Sequence, residues 1–376
     1  MWILLSILNV VFAYYAEKSY DVNKAHCKFF LFLIVVANVI ILGLRDIGVG
    51  FDTNVYIELY FQEAKKISGF RDLFFTESEG DKGFLLLAWV STLLGNDPRI
   101  LMFITELFII SFVIIGIYKS KKLLNYNITW FVLLFVLCFQ HDTINLMRQF
   151  CAMSILFYGY SFILQKRYGA YLICQGSALL FHTTSLVLLL VLLLHLSLNS
   201  SKEIQKIALL SIAVILLLFL FFYFKFVDFL HSTGLMQSLY FNRYGEDSNL
   251  LTDGAMGMAM PLLLGIQILI YIFAKKTQCI LPNYLYMLLT LSMFTIVFQF
   301  ASFYTIKNLY RLGYYFYLIL IMYYASMFQS KKISITVLSY LFVMMTMYLQ
   351  VKSIYNDYVN HNPGCTVYKS EILGIK

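Results

Sequence analysis

Four polar stretches interrupt an otherwise apolar sequence, and each carries residues able to do chemistry. The first runs from Gly43 through Arg45, Asp46, Gly48, Gly50, Asp52 and Thr53 to Tyr56. Its three glycines permit a tight backbone path. Arg45, Asp46 and Asp52 put both signs of charge at a helix mouth; a charged end that merely stops a span is the alternative, but two acids, an Arg and three glycines exceed what a stop signal needs. The second holds His141, Asp142, Asn145, Arg148 and Gln149. Arg148 and Gln149 fall in the first turn of the next helix, where backbone amides favour anions and a guanidinium adds a planar fork of donors. An interfacial Arg that snorkels is the alternative. The third is Phe181-His182-Thr183-Thr184-Ser185, a polar tip between two short apolar helices, with a His able to bind or transfer a proton or to serve only the turn. The fourth holds Lys307, Arg311, Tyr314, Tyr315 and Phe316. It reads as a phosphate clamp beside a stacking wall for sugars, or as an aromatic belt with one snorkelling Arg. Glu106 lies within an apolar run, where a carboxylate must face protein or water or hold a proton. A structural hydrogen bond and a proton-transfer role both fit it.

Other chemistries find no residues. There is no HExxH, GxSxG, P-loop or CxxC. Metalloprotease, α/β-hydrolase and ATPase readings therefore have no support. The six cysteines are scattered or sit in apolar runs, as small apolar residues do.

The elements that position these groups follow from composition. Of 376 residues, 61% are hydrophobic, 18% aromatic and 13% charged, and the mean hydropathy is +0.77. Soluble domains carry about 25% charged residues. So apolar a chain belongs in a bilayer, which excludes a soluble enzyme, a secreted disulfide scaffold and a disordered tail. The net charge of +8 is no nucleic-acid signal, because the lysines fall in short clusters between apolar runs.

Clear spanning candidates are 29–44, 100–118, 207–224, 257–274, 283–303, 312–329 and 333–350. Shorter ones are 2–16, 127–140, 150–165, 168–182 and 184–198. Continuous apolar runs of this length predict about twelve transmembrane helices and not a barrel. The apolar N-terminus lacks a basic region and a cleavage pattern, so it reads as a retained first span. No linker or internal repeat appears, and residues 1–376 read as one integral membrane domain.

Six basic clusters can share the cytoplasmic side: Lys18, Lys24 and Lys28; Lys119, Lys121 and Lys122; Lys166 and Arg167; Lys202 and Lys206; Lys275 and Lys276; Lys331 and Lys332. That holds only if Phe84–Gly95 does not cross, and this segment is too short to span. It is expected as an amphipathic or re-entrant helix on the outer face, near 84–95. Both termini, the large loops 45–99 and 225–256 and the tail 351–376 then lie outside.

The stretch from Arg45 to Tyr56, in the pattern Arg-Asp-x-Gly-x-Gly-x-Asp-Thr-x-x-Tyr, resembles the EpsG family of exopolysaccharide and O-antigen polymerases of the Wzy type. So do Met147-Arg148-Gln149 followed by Ala152, then Phe181-His182-Thr183-Thr184-Ser185, then Arg311 with Tyr315-Phe316. The tail Tyr368-Lys369-Ser370 is similar to that family's C-terminal end. Phe51 departs from the pattern, where a small or hydroxyl residue is more usual. The resemblance covers nearly the whole chain. It implies a GT-C-like, all-α polytopic membrane glycosyltransferase of the bacterial cytoplasmic (inner) membrane, with its active site on the outer, periplasmic face. It implies an undecaprenyl-diphosphate-linked oligosaccharide as substrate, membrane lipid around it, a flippase and a chain-length regulator as partners, and no nucleic acid, metal or nucleotide.

On that reading Arg148 and Arg311 lead as the cations for a diphosphate leaving group, with Arg45 third. Asp52 leads as the base for an acceptor hydroxyl, with His182 second. Asp46, Gln149, Tyr56 and Tyr315 join Arg45 as substrate-binding residues. Three rivals stand beside it. A lipid-linked oligosaccharide flippase would want charges lining a path from both sides and an internal repeat. A membrane acyltransferase would leave the arginines without a role. An O-antigen ligase shares donor type and sidedness.

Overall fold

The computed structural model describes residues 1–50, 52–75, 81–198, 201–221, 225, 232, 259–278, 282–304, 310–359 and 368–375. Phe51, Lys307 and the loop 225–256, apart from its single positions 225 and 232, lie outside the described residues, as do Ser78 and Asp247. Among those described, secondary structure is helical, apart from one isolated antiparallel bridge between Ser370 and Ile375.

The helices are α1 (Trp2–Ser19), α2 (Lys24–Gly43), α3 (Glu58–Lys65), α4 (Phe70–Phe75), α5 (Lys82–Leu94), α6 (Arg99–Leu124), α7 (Ile128–Phe139), the single turn α8 (Asp142–Asn145), α9 (Met147–Leu164) and α10 (Tyr168–Leu179). They continue with α11 (Leu189–Ser197), α12 (Lys202–Phe221), α13 (Ala259–Thr277), α14 (Pro282–Tyr304), α15 (Tyr310–Met327) and α16 (Ile333–Val359). A π-helical turn at Thr53–Ile57 leads into α3, and a 3-10 turn at Thr183–Leu188 leads into α11. Every expected apolar run holds a helix. By length and hydropathy, α2 and α6 stand out as able to cross a membrane, at mean hydropathies of 2.3 and 2.7.

The chain divides into two compact units, Met1–Leu186 with Ile321–Lys376, and Val187–Leu320. In the first, α1 pairs with α2 and α7, α2 with α6, α6 with α9, and α9 with α10. A reciprocal amide pair ties α1 to α2: Asn38 Nδ2 donates to Asn9 Oδ1 (2.8 Å), and Asn9 Nδ2 to Asn38 Oδ1 (3.3 Å). The pairing satisfies polar groups that would be costly unpaired among apolar neighbours.

One end of this unit gathers Lys28, Lys119 and Lys121. Lys121 Nζ meets Glu17 at 2.8 Å and also donates to Tyr126 O, while Ile128 N donates to Glu17 Oε2. Lys28 lies over the Tyr118 ring and Lys119 over Tyr158. The tail of α1, the tail of α6, the start of α7 and the late part of α9 therefore meet there. Asn125 closes α6 in the left-handed conformation, and Asn127 caps α7 by accepting from Trp130 N. The opposite end holds the start of α1, the end of α2, and the starts of α6 and α9. That is where the first three polar motifs sit, the fourth belonging to the second unit.

Helix α5 stays in that opposite half. Gly83 N donates to Leu180 O at 2.7 Å, and Gly83 lies so close to the Phe181 ring that a Cβ would sit 2.8 Å from it. Phe181 in turn packs on Phe108, ten residues into a helix of 26, roughly 14 Å along an axis of about 39 Å. The other end of α5 reaches Gly95, beside Ile100 at the start of α6. Helix α5 therefore runs alongside the first part of α6 without traversing it. Its sequence is apolar but for Lys82, Ser91 and Thr92. A difference concerns the tail: α16 continues through Val359 and does not end near 350.

Candidate active site

Two clusters occupy this end of the first unit. Arg45 centres the inner one, and it is fully buried. Its Nε donates to Val49 O (3.2 Å), its Nη1 to Leu42 O and to Glu106 Oε1 (3.3 Å), and its Nη2 to Thr53 Oγ1 (3.1 Å) and Met147 Sδ (4.0 Å). An arginine has five N–H donors, and each of these has an acceptor. Arg45 thus braces the end of α2, the glycine loop, α6 and the start of α9, with no donor left for a substrate. Its charge partner is Glu106, not the neighbouring Asp46. Glu106 Oε1 is held by this pair, while its Oε2 is buried without a partner among the described residues.

The glycines make that loop possible at one position above all. Gly50 has φ +112°, and a Cβ there would lie 2.6 Å from Thr53 Oγ1 and 3.0 Å from Ile144 O. Asp46 faces the C-terminal segment: its N–H donates to Lys369 O (2.9 Å), and its Oδ1 accepts from Glu371 N (3.0 Å). Ser370 Oγ donates to Leu44 O, and Tyr368 OH to Ile41 O (2.8 Å). The Tyr368 ring packs among Trp2, Leu5, Ile41, Leu42, Val49 and Ile144. The first and last sequence motifs are thus one piece of structure, and Asp46 joins them through its amide and Oδ1.

Arg148 centres the outer cluster. Its Nη1 lies 2.8 Å from Asp81 Oδ2 and 3.4 Å from Tyr60 OH, and its guanidinium carbon sits 4.0 Å from the centre of the Tyr56 ring. Tyr60 OH also accepts from Asp81 N at 2.9 Å. Asp52, partly buried before the π-helical turn, is a further carboxylate acting on Arg148. Burial pushes the Asp81 carboxyl up to about 6, outweighing the opposing pull of the Arg148 charge. The cluster therefore combines a cation, two carboxylates and a phenol-rich wall.

Its neighbour is the His182 turn. His182 Nδ1 and Thr184 Oγ1 lie 3.0 Å apart. Leu180, two residues before His182, is joined through its carbonyl to Gly83, two residues after Asp81. Gln149 turns inward, 3% exposed, toward Met153 on its own helix. In the second unit, Arg311 is partly buried in the first turn of α15, and Phe316 stacks on Phe298 with centroids 6.0 Å apart. Tyr315 is 1% exposed, which leaves no ring face open for the sugar stacking expected of it.

The profile of the EpsG family matches residues 27–370, nearly the whole chain. The chain belongs to the EpsG family. No curated protein and no solved structure gives a significant match. EpsG membership supports a membrane protein and a polysaccharide polymerase of the glycosyltransferase kind.

Two participants of this EpsG site escape a sequence reading. Asp81 is one of eight acids between Arg45 and Lys82 and lies 67 positions from Arg148. Tyr60 is one of 29 tyrosines. One signal was available for Asp81: it stands just before an apolar run, at a helix N-cap.

Proposed function

We propose that this EpsG protein is a polysaccharide polymerase of the cytoplasmic membrane, acting as one integral membrane domain of about twelve spans with a GT-C-like arrangement. It transfers a growing glycan from undecaprenyl diphosphate to the non-reducing end of one lipid-linked repeat unit, on the outer face. The acceptor hydroxyl oxygen bonds to the anomeric carbon while the bond from that carbon to the diphosphate breaks. Undecaprenyl diphosphate leaves with the electron pair, and the hydroxyl proton passes to a base.

The observation that carries this reading is Arg148, held over Tyr56 beside Asp81 at the mouth of the first unit, in a chain of the EpsG family. Charge builds on the diphosphate oxygens as the bond breaks, and a fixed cation in a low-dielectric site stabilises it strongly. Arg311 is proposed as a second cation on sequence grounds. Asp52, whose charge acts on Arg148, is proposed as the base, with His182 the alternate. Tyr56 supplies the wall beneath Arg148. Arg45 and Asp46 hold the loop in shape.

Purified protein supplied with repeat-unit lipid tests the proposal. A ladder of lipid-linked glycans on a gel is the expected result. Translocation without a ladder identifies a flippase, and transfer only to a non-repeat acceptor identifies a ligase.

A further inference from the structure

Asp81 occupies the N-cap of α5, where an aspartate ordinarily accepts from the second or third backbone amide of its helix. Here the side chain makes no capping hydrogen bond. The amides that would need it are satisfied elsewhere: Gly83 N by Leu180 O, and Phe84 and Leu85 N by the Asp81 carbonyl. The carboxylate is turned to Arg148 Nη1 instead, at 2.8 Å, with side-chain exposures of 12% for Arg148 and 14% for Asp81.

The two hydrogens of Nη1 are then accounted for by Asp81 and Tyr60. Tyr60 is itself fixed by the Asp81 amide, and the Tyr56 ring sets the plane of the guanidinium. Arg148 Nε is buried and meets no acceptor among the described residues. A guanidinium offers its Nε–Nη2 edge as a fork for a two-oxygen anion. With Nη1 occupied, Nε, which lies on that edge, is the donor shown without an acceptor among the described residues.

We infer that Asp81 is a positioning residue, which holds Arg148 through Nη1 so that the Nε–Nη2 edge is kept for an oxyanion of the substrate diphosphate. The inference rests on the proposed function for the identity of the anion. A carboxylate beside a binding arginine can instead compete with the ligand. The 2.8 Å contact at Nη1 and the Tyr60 bridge favour positioning, and the charge of Asp52 also acts on Arg148. Without Asp81, Arg148 is free to turn toward Asp52, so the site loses its orientation without gaining free positive charge.

Farnesyl diphosphate serves as the probe, titrated onto the full-length protein in nanodiscs. The variants are Asp81→Asn, Asp81→Glu, Arg148→Ala and the double variant Asp81→Asn/Arg148→Ala. Wild type is expected to bind, and Arg148→Ala to lose binding. Asp81→Asn is expected to weaken binding about tenfold or more, the size of one hydrogen bond to a charged group. Asp81→Glu should recover most of that loss, and the double variant should bind no worse than Arg148→Ala. A merely structural Asp81 would lower the melting temperature and leave the affinity of the folded protein unchanged, which overturns the inference. Tighter binding in Asp81→Asn overturns it in favour of competition. Failure of wild type to bind overturns the diphosphate reading of the site, and the inference with it.

Discussion

Arg45 and Arg148 differ in what their guanidinium groups have left to give. The donors of Arg45 end on protein acceptors in a fully buried site, whereas Arg148 keeps an edge without a described acceptor at Nε. Lysine cannot reproduce a planar fork, because it is a point charge on a flexible stem. Arg148→Lys should therefore leave the protein level near wild type and lower the polymerisation rate about 10²-fold or more, as removal of a transition-state donor does. Rates on repeat-unit lipid check this, and full activity would reduce Arg148 to a snorkelling residue. Asp52→Asn keeps the shape and removes the basicity. It should slow elongation about 10²–10⁴-fold, the usual general-base contribution, with single repeat units accumulating on lipid. Asp46→Asn should be milder, since its Oδ1 accepts from Glu371 N and an amide oxygen can do the same. Resolving lipid-linked glycans from both variants at matched protein levels makes the comparison, and normal chain lengths in Asp52→Asn would move the base role to His182.

At the scale of elements, the site depends on a loop clamped from both ends of the sequence. The turn through Gly50 brings Thr53 to Arg45, and the segment from Tyr368 to Ser370 closes over the end of α2. Tyr368 is 5% exposed within an apolar cluster. Its removal in Tyr368→Ala should cost about 3 kcal/mol, near the range for deleting buried aromatic rings. Tyr368→Phe keeps the ring and loses one hydrogen bond to Ile41 O, about 1 kcal/mol. Thermal melts of the purified variants should rank wild type, Tyr368→Phe and Tyr368→Ala in that order. Equal melting temperatures would mean that the tail only rests on the loop.

Over the whole molecule, the first unit has a basic end and a motif end, and the sidedness proposed here follows from that polarity. Lys122 and Lys369 are exposed at the two ends. With cysteine placed at each in a cysteine-free background, a membrane-impermeant thiol reagent should label position 369 and spare 122 in intact cells. The opposite pattern would invert the topology. The long helices were legible in the sequence because each is one apolar run, so 100–118 becomes Arg99–Leu124, whereas the short α3, α4 and α8 carry no such run and were not. It lengthens at its C-terminal side because Lys121 finds Glu17, which hydropathy does not register. Likewise Lys24 begins α2 ahead of its apolar run because Asn23 caps the helix. Arg148 and Asp52 were legible as charges at helix mouths. Asp81 and the Arg45–Glu106 pair were not, because each joins residues more than sixty positions apart, and residue type alone does not show which distant partners meet.

The central claim is that the Arg148 cluster binds the diphosphate of a polymerase donor, and the most direct measurement is the length distribution of glycans made on repeat-unit lipid by purified wild type and Arg148→Ala. The account predicts a ladder from wild type and single repeat units from Arg148→Ala, compared at matched amounts of folded protein. A full ladder from Arg148→Ala would contradict it.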